Sequence, residues 1–220
     1  MLNELMTNDQ QPITQDSRLK TQDFISVLSM GSERAVADLA VKVLEDHPES
    51  LREILDLCWM EQYPMSMRAA RVAQLYCEKH PKEIYPYLDE VVEKIMKTRI
   101  DGVRRNFLKV TAEFIDPEKI NNPGILLNIC FDWLLDPGIK PATRIHSMTV
   151  IYKLCRNEPD ILRELAATIE IIIEEGEISI KTCGRKMLAK IERRQKSEDR
   201  SQKTEVRRQK SEDRRNNVEC

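Results

Sequence analysis

Basic residues recur in this chain at the spacing of a repeated two-helix unit, and this recurrence constrains the fold more than any other feature. The segments "SERAVADLAVKVLEDHP" (32–48) and "SMRAARVAQLYCEKHP" (66–81) both begin with serine, place arginine two residues later and end in His-Pro. The recurring basic residues lie 34 to 40 residues apart. Two-helix units of this length bury their apolar faces by stacking on one another. The basic residues are Arg34, Arg68, Arg104, Arg144 and Lys181.

Four prolines divide the chain into the same units, because each is followed by an amphipathic segment. Proline suits the first turn of a helix, where the N–H groups have no partner within the helix. From Pro48 onward, each unit is therefore predicted to hold a proline-led first helix, a short turn and a second helix that the basic residue opens. The four prolines are Pro48, Pro81, Pro117 and Pro159. The predicted helix pairs are 18–30 with 32–46, 48–62 with 65–79, 81–98 with 101–115, 118–136 with 141–156, and 159–176 with 178–194.

The composition favours an all-α protein. Only 6 of the 220 residues are glycine, 33% are charged and 41% are hydrophobic, which is the balance of a soluble helical chain. The six cysteines have no Cys-x-x-Cys spacing and five lie among apolar neighbours, so we expect them to be reduced and structural. The N-terminal segment lacks the basic start and apolar stretch of a signal peptide, and no stretch is apolar enough to span a membrane. We therefore expect a cytoplasmic protein that does not contact membranes.

The segment "IYPYLDEVVEKIMKTRIDGVRRNFLKVTAEFI" (84–115) resembles a HEAT repeat, which has an early proline, an Asp in the turn and Val-Arg at the start of the second helix. Asp101, Val103 and Arg104 match that turn. The other units keep the basic residue without the Asp, and the resemblance covers about residues 18 to 191. It implies a right-handed α-solenoid of about five antiparallel helix pairs. In that family the repeated Arg and Asp form a ladder between neighbouring turns, which implies a structural role for the repeated arginines.

Charge is divided unequally between the two sets of helices, although the formal net charge is only −2. The predicted first helices from Pro48 onward hold sixteen acidic and six basic residues, whereas the segments that contain the second helices hold fourteen basic and four acidic residues over 66–79, 101–115, 140–156 and 177–191. In HEAT-like solenoids the second helices line the concave face, so the resemblance implies a basic groove that attracts anionic partners. The candidate binding residues are Arg68, Arg71, Arg104, Arg105, Lys109, Arg144, Lys181 and Arg185.

Three functions remain open for such a surface. The first is a non-enzymatic scaffold that binds an acidic peptide or protein. The second is a nucleic-acid-binding protein that resembles the HEAT-like DNA glycosylases, and the third is a structural subunit of an assembly. Trp59 and Trp133 lie on predicted first helices, so we expect them in the core and not against a base. The sequence contains no phosphate-binding loop, metal-ligand pair or nucleophile motif, so we expect no catalytic residue, cofactor or metal.

The predicted domain organisation has three parts. Residues 1–17 are expected to be flexible, residues 18–192 to form the repeat domain, and residues 193–220 to form a charged tail. The tail repeats the octet RRQKSEDR at Arg193 and Arg207, and its only apolar aliphatic residues are Val206 and Val218. Burial of so few apolar groups does not offset the entropy of ordering, so we expect a frayed helix or disorder.

Overall fold

The computed structural model describes residues 23–216, and every regular element in that part of the chain is helical. The predicted all-α class is therefore confirmed. The first helices of the successive pairs are α1 (residues 23–29), α3 (Leu51–Trp59), α5 (Leu88–Lys97), α7 (Pro123–Leu135) and α9 (Pro159–Glu175). The second helices are α2 (Arg34–Asp46), α4 (Met65–Lys79), α6 (Asp101–Glu113), α8 (Pro141–Leu154) and α10 (Ile178–Asn216). Short 3-10 helices occupy Pro48–Ser50, Pro81–Tyr87 and Pro117–Lys119.

The chain divides into two compact units, and the boundary lies inside α6. Unit 1 ends at Val110 and unit 2 begins at Thr111.

Unit 1 packs its helices in the order expected for stacked pairs. Helix α3 packs against α4, its own pair partner, and α2 also packs against α4, so two successive second helices are neighbours. Leu44, Ile54, Tyr76 and Phe107 are among its buried side chains, each less than 2% exposed. Burial of these apolar side chains removes their surface from water and is the main force that holds the pairs together.

Unit 2 repeats this arrangement with different residues. Helix α7 packs against α8, α9 packs against α10, and α8 also packs against α10. Its core includes Leu134, Ile151, Leu165 and Ile169, and all four residues are completely buried. Within each unit, therefore, a second helix contacts both its own first helix and the neighbouring second helix.

The proline-led first helices begin differently from the prediction. Pro48, Pro81 and Pro117 each open a short 3-10 helix, whereas Pro159 opens α9 directly. In the 81–87 segment a second proline, Pro86, lies inside the helix. Proline has no N–H to donate and its ring obstructs the preceding α-helical turn, so α5 begins only after it.

The predicted helix 118–136 is wrong at its N-terminal end. After the 3-10 helix Pro117–Lys119 the chain leaves the helical conformation, and α7 begins at Pro123. Asn122, the residue before that proline, has φ −123° and ψ 64°. The proline ring disfavours the α conformation for the residue that precedes it, so the helix starts at the second proline of the segment and not the first.

Helix α10 continues past its predicted end at residue 194 to Asn216, so the charged tail is helical as far as that residue. The predicted flexible segment 1–17 and residues 217–220 lie outside the described part of the chain. The predicted domain limits at residues 18 and 192 stay predictions.

Candidate functional site

Three of the repeated arginines donate hydrogen bonds to main-chain carbonyls at the ends of first helices. Arg68 donates from Nη1 to the Leu28 carbonyl at 2.8 Å. Arg104 donates from Nη2 to the Thr98 carbonyl at 2.6 Å. The buried Arg144 donates from Nε to the Leu134 carbonyl at 2.9 Å.

These contacts explain why an arginine lies in the first turns of α4, α6 and α8. The last carbonyls of an α-helix have no partner within the helix, and a cationic side chain beside them satisfies them favourably. The ladder of Arg and Asp that the resemblance implies stays a prediction, and the hydrogen bonds named above go to main-chain oxygen atoms. Arg144 is only 7% exposed, and burial lowers its pKa. We therefore assign Arg104 and Arg144 to the packing of their helix pairs.

Three of the predicted binding residues line one groove in unit 1, which we call the arginine groove. It is lined by Arg68 and Arg71 from α4, Arg105 from α6, and residues of α1, α2 and the turn between them. The groove is open to solvent and holds about 390 Å³ of space between atoms when that open part is included. Packing of successive second helices thus brings together arginines that are more than 30 residues apart in sequence.

The arginine groove combines positive charge with an apolar wall. Arg71 and Arg105 are exposed, and neither has an ion-pair partner among residues 23–216. Val36 and Met67 supply apolar surface, and Glu33 supplies a carboxylate. Three guanidinium groups against one carboxylate leave the groove positive.

Two nitrogen atoms of groove residues have no hydrogen-bond partner. Asn106 is 8% exposed, and its Nδ2 is buried without an acceptor in the described structure. The Nε of Arg68 is buried and unpartnered in the same way. A buried donor without an acceptor costs about 1 to 3 kcal/mol. Sequence reasoning missed Asn106, because its position in the helix does not show whether its side chain has a hydrogen-bond partner.

The other predicted binding residues lie outside the arginine groove. Lys109 is half-buried on α6. In unit 2, Lys181 is half-buried and Arg185 is exposed, both on α10. The structure therefore brings together three of the eight predicted residues.

The tryptophans and cysteines of the described chain belong to the packing of the helices. The Trp59 ring lies 4.7 Å from the Phe107 ring, measured between centroids, and Trp133 is 7% exposed. Burial raises the pKa of the Cys77 and Cys130 thiols to about 12, so both are protonated at neutral pH and poor nucleophiles. Within residues 23–216 no three His, Cys, Asp or Glu side chains come together in a way that would hold a metal ion.

None of the helices between residues 23 and 216 combines the length and apolar character needed to cross a membrane. Comparison with curated proteins and with solved structures finds no match. Comparison with family models finds one, the HEAT repeat domain, over residues 26–191. That match covers most of the chain and includes at least part of every described helix, so the chain belongs to the HEAT repeat domain family.

Proposed function

We propose that this protein is a non-enzymatic scaffold that binds an acidic segment of a partner protein through the cations of its second helices. The observation that carries the proposal is the convergence of Arg68, Arg71 and Arg105 on one groove. HEAT repeats commonly mediate protein–protein interactions, which supports a protein as the partner class. The right-handed solenoid of about five repeats, the cytoplasmic location and a continuous basic face stay predictions.

Charge complementarity favours an acidic partner. A positive groove raises the local concentration of anionic segments and speeds their association. Arg71 and Arg105 are exposed without ion-pair partners within the described chain, so an incoming carboxylate does not have to displace an existing one.

Nucleic acid is a poorer match for the same groove. Single-stranded nucleic acid binds on aromatic side chains that stack against its bases, and the residues that line the groove include none. The third function, a structural subunit of an assembly, has no support from the residues of the groove.

The proposal is tested with fluorescence anisotropy of labelled poly-L-glutamate and of a labelled duplex DNA of mixed sequence. We expect the protein to bind poly-L-glutamate at about 50 mM salt. The affinity should fall as the salt concentration rises, because dissolved ions screen the attraction between the arginines and the carboxylates. The double variant Arg71→Glu, Arg105→Glu is expected to bind poly-L-glutamate at least tenfold more weakly.

Absence of poly-L-glutamate binding at about 50 mM salt would contradict the proposal. Tight binding of the duplex DNA with a steep salt dependence would favour the nucleic-acid alternative instead. The variant Arg163→Glu, on the first helix α9, is a matched charge reversal and is expected to leave poly-L-glutamate binding close to that of the wild type.

A further inference from the structure

We propose that the arginine groove is a specific subsite for one carboxylate together with the apolar side chain next to it. This inference rests on the proposed function and assigns a location and a ligand chemistry to it. The ligand is a segment of a partner protein in which a glutamate or aspartate adjoins a leucine-like residue.

The carboxylate part of the proposal comes from the unpartnered donors. Nδ2 of Asn106 and Nε of Arg68 are both buried, both belong to groove residues, and both lack an acceptor in the described structure. An amide nitrogen and a guanidinium nitrogen only donate hydrogen bonds. A ligand that pairs with them, once a small movement of the two side chains opens these nitrogens to the groove, must bring acceptor oxygens, and a carboxylate brings two.

The fixed position of Arg68 makes the donor pair specific. Its Nη1 is already held by the Leu28 carbonyl at 2.8 Å, so the guanidinium is oriented before any ligand arrives. A pre-oriented guanidinium loses less entropy on binding than a mobile one and presents its remaining N–H groups in a planar arrangement that suits carboxylates. Arg71 and Arg105, which are exposed, supply the attraction that brings the carboxylate to this point.

The apolar part of the proposal comes from the aliphatic side chains in the lining of the groove. Leu28, Val36, Ala37 and Met67 line the groove together with the cations. Methionine adapts its shape to the side chain it meets, which suits a pocket for an aliphatic group. A free carboxylate or an inorganic anion would leave this wall uncovered, so an acidic residue with an apolar neighbour fits the groove better than charge alone.

The experiment compares labelled peptides that contain a central Leu-Glu-Leu-Glu segment, the same segment with glutamate changed to glutamine, and the same segment with leucine changed to serine. Binding to the full-length chain is measured by fluorescence anisotropy at about 50 mM salt. We expect the Leu-Glu-Leu-Glu peptide to bind at least tenfold more tightly than either altered peptide.

Asn106→Leu is the decisive variant, because it removes the donor while keeping the size of the side chain. We expect it to weaken binding of the Leu-Glu-Leu-Glu peptide about tenfold, the loss that follows when a hydrogen bond to a charged group is removed. Loss of an unsatisfied buried donor leaves the free protein as stable as before or more stable. Urea denaturation of the same variant is therefore expected to show an unchanged or raised midpoint.

Arg185→Ala is the matched control, since Arg185 is an exposed second-helix arginine in unit 2 and lies outside the groove. We expect Arg105→Ala to weaken binding of the peptide and Arg185→Ala to leave it unchanged. The subsite is overturned if Arg105→Ala and Arg185→Ala lose peptide affinity equally, or if Asn106→Leu binds the peptide as tightly as the wild type. In either case, binding of poly-L-glutamate by the wild type would still support the proposed function. If the wild type does not bind poly-L-glutamate, both proposals are overturned.

Discussion

Unit 1 and unit 2 belong to the same repeat family, but unit 1 adds cation–carboxylate pairs to the contacts between its neighbouring helix pairs. In unit 1, Arg52 of α3 donates from Nη2 to Glu90 of α5 at 3.0 Å, and it also pairs with Asp56. Lys79 of α4 lies 2.8 Å from a carboxylate oxygen of Glu45 in α2. Both contacts join equivalent helices of successive pairs, and both join a cation to a carboxylate.

In unit 2, three contacts between neighbouring pairs join a cation to an uncharged group. Lys153 of α8 donates to the Thr111 carbonyl at 3.3 Å, and Arg194 of α10 donates to the side-chain oxygen of Asn157 at 2.8 Å. The Nζ of Lys190 lies 4.2 Å from the centroid of the Tyr152 ring. Cation–carboxylate pairs weaken in salt and acid, whereas contacts with carbonyl, amide and ring groups do not depend on a titrating partner. The two units should therefore respond differently to both conditions.

The chain offers a natural way to observe the units separately, because each contains one tryptophan. Trp59 lies in unit 1 and Trp133 in unit 2. Fluorescence of Trp59 in a Trp133→Phe background reports on unit 1, and fluorescence of Trp133 in a Trp59→Phe background reports on unit 2. Urea denaturation of variants in these two backgrounds measures the free energy of unfolding of each unit.

The largest effect is expected at Arg144. Arg144→Met removes the donor that satisfies the buried Leu134 carbonyl, so we expect the free energy of unfolding of unit 2 to fall by about 2 kcal/mol. Because its partner is a carbonyl, this loss should be the same at low and high salt. The control Arg185→Met changes an exposed arginine of the same unit and is expected to stay within about 0.5 kcal/mol of the wild type. Equal stability of the two variants would contradict the packing role of Arg144.

A smaller effect separates two helical glycines. An added Cβ at Gly184 in unit 2 would lie 2.6 Å from Cγ2 of Ile173, and one at Gly102 in unit 1 would lie 2.4 Å from Cγ of Met67. Alanine favours a helix over glycine by about 1 kcal/mol, but a stiff β-branched neighbour yields less readily than a methionine.

We therefore expect Gly184→Ala to destabilise unit 2 by about 1 kcal/mol and Gly102→Ala to leave unit 1 within about 0.5 kcal/mol of the wild type. Urea denaturation in the two tryptophan backgrounds measures both values. If Gly102→Ala destabilises its unit more than Gly184→Ala does, the contact of α10 with Ile173 yields more easily than the contact of α6 with Met67.

The smallest effect is expected at Arg52 and depends on pH. The hydrogen bond from Arg52 holds the pKa of Glu90 below its ordinary value of 4.5. A carboxylate with a lowered folded-state pKa contributes stability above its unfolded pKa, and that contribution is lost as the pH falls through the folded value. Arg52→Met should therefore lower the stability of unit 1 at neutral pH by about 0.5 kcal/mol, a small amount because both side chains are partly exposed.

The difference between wild type and Arg52→Met is expected to shrink below pH 4.5 and in high salt, as measured by Trp59 fluorescence in urea. Arg163→Met provides a control, because Arg163 pairs only locally with Asp160 at the exposed surface of unit 2. A difference that stays constant across pH would show that Arg52 stabilises unit 1 through its contact with the Tyr87 ring instead.

Much of the candidate site was predictable from local patterns. Arg68, Arg71 and Arg105 were expected on second helices, and the structure places them there on one groove. Asn106 was missed because an amide inside a helix shows nothing in the sequence about whether its hydrogen bonds are satisfied. The starts of α5 and α7 were misplaced because a second proline in each segment decides where an α-helix can begin, and the prediction used only the first.

The sequence by itself determined the all-helical class, the recurrence of helix pairs and the separation of charge between first and second helices. All three follow from spacing and residue type, which act over a few turns of helix. Only the tertiary structure decided which arginines donate hydrogen bonds to main-chain carbonyls and which are exposed in the arginine groove. Arg68 reaches a carbonyl forty residues earlier in the chain, whereas Arg71, one turn away on the same helix, is exposed in the groove. That choice depends on which side of α4 meets a neighbouring helix end, a packing relation that no local pattern contains.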